Sequence, residues 1–155
     1  MAWNDDRHAV STMRAETVTN IQEAQNNLEC NVPEEIDYPI VIFNRAATHE
    51  QYRQLGLNQA IRYYFLKAAL RADIQTTVSP VYLGASRTRF MDQLGYRFMD
   101  PGKTWQIKLQ IHKPRLLALL ERNRMEHALS IIEEEREKIL RQYPWQGEPF
   151  EFSPV

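Results

Sequence analysis

The stretch of sequence that decides the fold is residues 45–59, RAATHEQYRQLGLNQ. An apolar run rich in β-branched and aromatic residues precedes it at 38–43 and predicts a buried strand that continues to Thr48. Residues 57–71 overlap the end of this stretch. Their apolar side chains recur at i, i+3 and i+4 and they include no proline, which predicts a long helix. The stretch therefore joins the end of a strand to the start of a helix.

This junction has the chemistry of a phosphate-binding turn. The first N–H groups of a helix have no partner within it, and the helix dipole favours an anion at this end. Gly56 lets the backbone approach a bulky phosphate, and Arg53 adds a cation that makes forked hydrogen bonds to phosphate oxygens. A simpler interpretation also fits, in which Gly56 eases entry into the helix and Arg53 pairs with Glu50.

Two segments resemble motifs of the GNAT superfamily of N-acetyltransferases. Residues 45–58 resemble the acyl-CoA-binding motif of that family, in which a strand leads through a sequence of the type RGKGIG into a helix. Residues 87–96, RTRFMDQLGY, resemble a second family pattern of the type AxxFYEKLGF. The resemblance covers residues 38–111 and extends to divergent branches of the family that use long-chain acyl donors.

The resemblance implies an acyltransferase whose donor is acyl-CoA or an acyl chain on a phosphopantetheinylated carrier protein. The strands at 40–48 and 74–78 would splay apart and leave a slot for the thioester. Backbone groups of Ala47 and Thr48 would bind the pantetheine arm. The residues around the phosphates would be Arg53, Gln54, Leu55, Gly56, Leu57 and Asn58.

Three positions depart from the family pattern. Asn58 stands where the phosphate motif ends in glycine or alanine, so a larger side chain crowds the first helical turn. Met91 stands where many members have the tyrosine that protonates the leaving thiolate, and a thioether has no proton to give. Gly84 stands where an asparagine is frequent.

Amide formation from a thioester requires a deprotonated amine, an oxyanion donor and a departing thiolate. His49 and Glu50 lie nearest the phosphate-binding turn in sequence and are the candidate catalytic bases. The alternative is that both belong to an ordinary solvated turn. No metal site is expected, since the four histidines are scattered along the chain and there is a single cysteine.

The rest of the chain predicts further helices and strands. Leucines at 116, 117, 119 and 120 suggest the apolar side of a helix that Pro114 opens. The other predicted elements are a helix over 11–29 capped by Ser11 or Thr12, a strand over 74–78 that Pro80 interrupts or ends, a helix over 85–94 closed by Gly95, strands over 96–99 and 105–111, and a last helix over 125–142.

These elements predict an α/β (α+β) fold, a GNAT-like mixed central sheet flanked by helices, with a reduced N-terminal half and extra C-terminal helices. One compact domain is expected. Its predicted parts are an N-terminal helical segment at 1–37, the acyl-donor-binding core at 38–111, C-terminal helices at 112–142 and an extended tail at 143–155.

Charge is unevenly distributed along a chain whose formal net charge is −1. Residues 45–124 carry fourteen basic and five acidic residues, whereas both flanking segments are acidic. A basic middle favours a phosphate-bearing donor or an acidic acyl-carrier protein. The alternative is that the acidic ends neutralise it within the fold. A nucleic-acid partner has less support, because no nucleic-acid-binding motif accompanies the charge.

We therefore expect a cytoplasmic acyltransferase that acts on an amine-bearing small molecule or peptide and can form homo-oligomers. No apolar run approaches the ~20 residues that a membrane span needs. The aromatic residues Tyr63, Tyr64, Phe65, Phe90 and Trp105 either line an acyl tunnel or pack in the core. The alternative function is a non-catalytic binding or assembly module that docks a partner through the stripe Met125, Leu129, Ile132 and Ile139.

Overall fold

In the computed structural model, which describes residues 1–3, 6–82, 87–101 and 115–142, the chain folds around one mixed sheet flanked by helices. This confirms the predicted fold class. Along the described parts of the chain, the elements are β1 (Ala2–Trp3), β2 (Ala9–Val18), α1 (Ile21–Leu28), β3 (Ile40–Thr48), a short 3-10 turn (Glu50–Tyr52), α2 (Leu57–Arg71), β4 (Thr76–Tyr82), α3 (Arg87–Gln93), β5 (Arg97–Met99), β6 (Arg115–Glu121) and α4 (Arg122–Gln142).

The strands lie in the order β1-β2-β3-β4-β6-β5. The pairing of β3 with β4 is parallel, and the other neighbours pair antiparallel. Helices α2 and α4 cover one face of the sheet, where Ile61, Leu66 and Met125 are buried. Helix α1 and the segment after it cover the other face with Leu28 and Val32. Both faces are therefore apolar, as in sheets that lie between helical layers.

The predicted helix over 11–29 is wrong in its first half, because Ala9–Val18 form β2. The strand is held to β3, and the Ser11 hydroxyl donates to the Ala47 carbonyl (3.2 Å) instead of capping a helix. Helix α1 begins at Ile21. Asn20 is its N-cap, and the side-chain oxygen of Asn20 accepts a hydrogen bond from the Glu23 N–H (3.0 Å). β-branched residues in the segment 9–18 suit a strand, and pairing with β3 decides the conformation.

The predicted helix from Pro114 is also wrong, because Arg115–Glu121 form β6 between β4 and β5. Its leucines belong to a central strand that is covered on both faces. Side chains on both faces are therefore apolar, and the strand lacks the usual alternation of apolar and polar residues. The one described helix in this region is α4. The C-terminal part therefore completes the sheet and adds one helix, where two additional helices were predicted.

Other predictions hold more closely. Strand β3 extends to Thr48, α2 spans the predicted residues, and Gly95 closes the α3 turn with φ 88°. Pro80 lies within β4, paired with Leu117 of β6, where it neither interrupts nor ends the strand. Among the described residues, none pairs with the other side of β4 at this point, which explains why a residue without an N–H is tolerated.

Some predictions fall outside the described residues, namely the strand over 105–111 and the tail over 143–155. The boundaries at 37, 111 and 142 stay predictions. Among the described helices, none combines the length and the apolar character required to cross a membrane.

Candidate functional site

A fork in the sheet is the central feature of the site. The parallel pairing of β3 with β4 comprises Ile40 with Thr76, Val41 with Thr77 and Ile42 with Val78. Both strands continue beyond these pairs, β3 held by β2 on its outer side and β4 held by β6. The two strands therefore separate after the third pair, which confirms the predicted splay.

A β-bulge lies in β3 just beyond the fork. Thr12 of β2 pairs with Ala47, but Arg14 pairs with Asn44, so β3 has one extra residue between these positions. Arg45 takes up this residue with a left-handed φ of 51°. Because a bulge bends its strand and increases the local twist, it helps to turn β3 away from β4.

The N-terminus of α2 faces the open side of the fork. Gly56 caps the helix with φ 68°, a conformation that glycine adopts without a side-chain clash, and no side chain caps the helix. The Ala60 N–H makes the first helical hydrogen bond, to the Gly56 carbonyl (2.9 Å). The N–H groups of residues 57–59 thus have no acceptor within the helix, which is the arrangement that binds anions.

A cavity of about 770 Å³ connects the fork to this helix start. Seven of the eight residues predicted to bind the donor line it: Ala47, Thr48, Arg53, Gln54, Gly56, Leu57 and Asn58. The eighth, Leu55, packs against the core. The remaining lining residues are Ala46, Tyr52, Gln59, Arg62, Phe90 and Met91. Of these, Ala46, Tyr52 and Gln59 belong to the stretch 45–59 without being among the residues predicted to bind the donor.

His49 and Glu50 do not line the cavity. Both are exposed in the turn after β3, and the His49 N–H donates to the Val10 carbonyl (2.8 Å). The His49 ring lies edge-on to Tyr52, with 6.0 Å between ring centroids. Their proposed role as bases rests on proximity in sequence, and neither side chain is part of the cavity wall, although Tyr52 of the same turn is. The role stays a prediction.

Arg62 is the most unusual residue on the cavity wall. It is only 6% exposed, and its Nη1 donates to the Tyr96 hydroxyl (2.7 Å) and the Ser79 hydroxyl (3.4 Å). Its guanidinium carbon also lies 5.6 Å from the centre of the Phe43 ring and 5.5 Å from that of Tyr96. Within the described ranges, no carboxylate pairs with it.

Met91 also borders the cavity and is 2% exposed. It occupies the position at which the resemblance implies a proton-donating tyrosine, so no acid is supplied there. The Tyr96 hydroxyl accepts a hydrogen bond from Arg62 Nη1. Asn58 lies in the first turn of α2 and is half-buried, whereas Gly84 falls outside the described residues.

The aromatic residues proposed for an acyl tunnel separate into different environments. Phe90 lines the cavity, Phe65 stacks on Phe43 with 5.6 Å between centroids, and Tyr64 is 43% exposed. Tyr63 donates from its hydroxyl to Glu133 Oε1 on α4 (2.7 Å), and this hydrogen bond raises the pKa of Tyr63. Trp105 is outside the described residues. The structure therefore does not gather these five residues into one tunnel.

The stripe proposed for docking a partner is occupied by the chain's own core. Met125 and Ile132 are fully buried, and Leu129 packs against the same cluster. The side chain of Ile139 is outside the described set. The prediction that a partner docks on this stripe is therefore wrong, because these residues of α4 pack against the sheet and α2.

No family model and no curated protein matches the chain. Solved structures do match. The CoA-dependent acyl-homoserine lactone synthase BjaI, with SAM and isopentyl-CoA, aligns with TM-score 0.61 and 12% identity over 86% of this chain and 62% of its own. Arabidopsis thaliana NAA60 in complex with acetyl-CoA aligns with TM-score 0.54 and 13% identity over 76% of this chain and 70% of its own.

A third match is FeeM, an N-acyl amino acid synthase from uncultured soil microbes, with TM-score 0.50 and 10% identity over 81% of this chain and 67% of its own. This chain spans less than two thirds of the length of BjaI. At these identities the likeness is one of fold. The structural neighbours are GNAT-fold acyltransferases, so the predicted resemblance is confirmed at the level of structure and the chain has the GNAT fold.

Proposed function

We propose that this chain transfers an acyl group from a CoA thioester to an amine. The observation that carries the proposal is the position of the fork, which opens into a cavity beside the uncapped N-terminus of α2. One end of this cavity can bind phosphate through backbone N–H groups, and the other is lined by the unpaired part of β3 at Ala46, Ala47 and Thr48. A phosphorylated, extended ligand matches that combination.

The donor would lie along the cavity from Gly56 to the fork. Its pyrophosphate would accept hydrogen bonds from the first N–H groups of α2, with Arg53 adding a cation. The pantetheine arm would pair with the edge of β3 that faces β4, at Ala47 and Thr48, in the manner of an added strand. The same arm on a phosphopantetheinylated carrier protein would use the same edge, so an acidic carrier is a second donor source.

The reaction would proceed by attack of the amine nitrogen on the thioester carbonyl carbon. A C–N bond forms, and the carbonyl oxygen becomes an oxyanion that backbone N–H groups of the β3 edge stabilise. Collapse of this intermediate breaks the C–S bond and releases the CoA thiolate, and the amine loses its proton to water or to an exposed base such as His49 or Glu50. A thiol ionises near pH 8.5, so the thiolate leaves without the acid that Met91 fails to supply.

The acceptor would be an amine-bearing small molecule or peptide, and the protein would act in the cytoplasm. A homo-oligomer remains part of this proposal. The rival function is donor binding without catalysis, and Met91 at the position of the expected acid is the observation that favours it.

Calorimetry with CoA, acetyl-CoA, octanoyl-CoA and an octanoylated acyl-carrier protein tests donor binding. Release of free thiol in the presence of mixed amines then tests turnover. The proposal expects binding of at least one donor, and amine-dependent thiol release. Binding without thiol release would instead support the rival function, and the absence of binding by every donor would exclude both.

A further inference from the structure

Arg62 closes the inner end of the fork. Phe43 and Ser79 are the first residues of β3 and β4 beyond the last pair of the parallel ladder, Ile42 with Val78. The Arg62 guanidinium lies over the ring of Phe43 and donates to the hydroxyl of Ser79. The side chain thus contacts both strands at the point where they separate.

The charge of Arg62 has no counter-ion in the described part of the chain. Its hydrogen-bond partners there are two neutral hydroxyl groups, and none of the described residues that line the cavity is acidic. A buried cation without a paired anion is unfavourable, although flanking aromatic rings offset part of that cost. This arrangement suits a site that receives an anion from outside the protein.

The anion at Arg62 would be distinct from the donor phosphates. Arg62 lies six residues after Gly56, which places its Cα about 9 Å along the helix axis from the phosphate-binding end. Both of its hydrogen bonds come from Nη1, so Nε and Nη2 have no acceptor among the described residues. Two adjacent guanidinium N–H donors match the two oxygens of a carboxylate.

We propose that Arg62 recognises a carboxylate at the far end of a short acyl chain, so that the donor is a dicarboxylic acyl-CoA of the malonyl, succinyl or glutaryl class. This inference rests on the proposed function, because the cavity must first hold a CoA thioester. A long apolar chain is disfavoured, since it would lie against a buried guanidinium. The carboxylate takes no part in bond making or breaking and fixes only which acyl group is accepted.

The test compares donors of equal carbon number, namely malonyl- with propionyl-CoA, succinyl- with butyryl-CoA, and glutaryl- with valeryl-CoA. Calorimetry on the wild-type chain should show one dicarboxylic donor binding at least about tenfold more tightly than its neutral counterpart. Arg62→Met keeps much of the side-chain length without the charge and should abolish this preference while CoA itself still binds. Arg53→Ala should weaken both members of each pair to a similar extent.

Equal wild-type affinities within all three pairs would overturn the carboxylate assignment, and CoA binding would leave the proposed function in place. Failure of CoA and of all six donors to bind would reject both. Circular dichroism establishes whether Arg62→Met is folded. If Arg62→Met does not fold, the comparison of donor pairs on the wild-type chain decides the carboxylate assignment. Arg62→Lys then replaces it as the variant and should show a smaller preference for the dicarboxylic donor.

Discussion

Ile42 and Val78 are the last paired residues between β3 and β4, and every feature of the candidate site lies beyond them. The open strand edge, the buried Arg62 and the start of α2 all border one cavity. The cavity beside the unpaired part of β3 is large enough for a ligand.

Arg53→Ala should weaken CoA binding about 10- to 150-fold, since a hydrogen bond to a charged group contributes about 1.5 to 3 kcal/mol. Arg53 is exposed and borders the cavity, so its loss should leave the unfolding free energy nearly unchanged. Arg71→Ala is the matched control, because Arg71 is exposed at the opposite end of the same helix. Equal affinities for the two variants, measured by calorimetry, would count against the phosphate assignment.

Gly56→Ala should lower both stability and CoA affinity. The residue has φ 68°, and a non-glycine residue there costs about 1 to 2 kcal/mol. Gly95→Ala is the control, because Gly95 has φ 88° and an added Cβ would meet its nearest atoms at an ordinary 3.8 Å. Urea unfolding should show similar destabilisation in both variants, whereas calorimetry should show weaker CoA binding only for Gly56→Ala. Loss of binding in both variants would indicate a general effect of instability.

Tyr96→Phe should destabilise the protein by about 1 to 3 kcal/mol, because the buried Arg62 loses its shortest hydrogen bond. Tyr38→Phe makes the same chemical change at a hydroxyl that is buried and has no hydrogen-bond partner in the described structure. That control should be neutral or slightly stabilising. Chemical denaturation of the two variants measures the difference, and equal effects would show that the Arg62 bond contributes little.

Tyr63→Phe should remove about 1 to 2 kcal/mol of stability near pH 8, because the hydroxyl no longer donates to Glu133. The folded pKa of Tyr63 is raised, mainly by this hydrogen bond, above its unfolded value of about 10. The stabilisation is therefore complete below pH 10 and is lost as the pH rises through the folded pKa. Urea titrations from pH 8 to 11 should show wild type and variant converging, and a constant difference would contradict this account.

The sequence predicts the phosphate-binding turn well because its signals are local. Gly56 lies between a strand rich in β-branched residues and a helix without proline, and its left-handed φ is a conformation that glycine adopts readily. The helix start at Ile21 was also readable, since Asn20 and Glu23 match a capping pair. An apparent helical stripe over 11–29 obscured that signal.

The features that the sequence could not predict depend on tertiary pairing. The run Arg115–Glu121 is compatible with a helix or a buried strand, and only insertion between β4 and β5 makes it β6. Arg62 is one of the fourteen basic residues in the middle of the sequence, but its burial follows from contacts with Ser79 and Tyr96, which lie 17 and 34 residues away. Periodicity within α2 holds no information about such partners.

Backbone amide shifts in a ¹⁵N-labelled protein titrated with acetyl-CoA show directly whether the donor binds at the fork and the start of α2. We expect the largest perturbations at Gly56, Leu57 and Asn58, with further shifts at Ala47 and Thr48 along the open edge of β3. Perturbations confined to another surface, or no change at saturating acetyl-CoA, would contradict the assignment of this fork as the donor site.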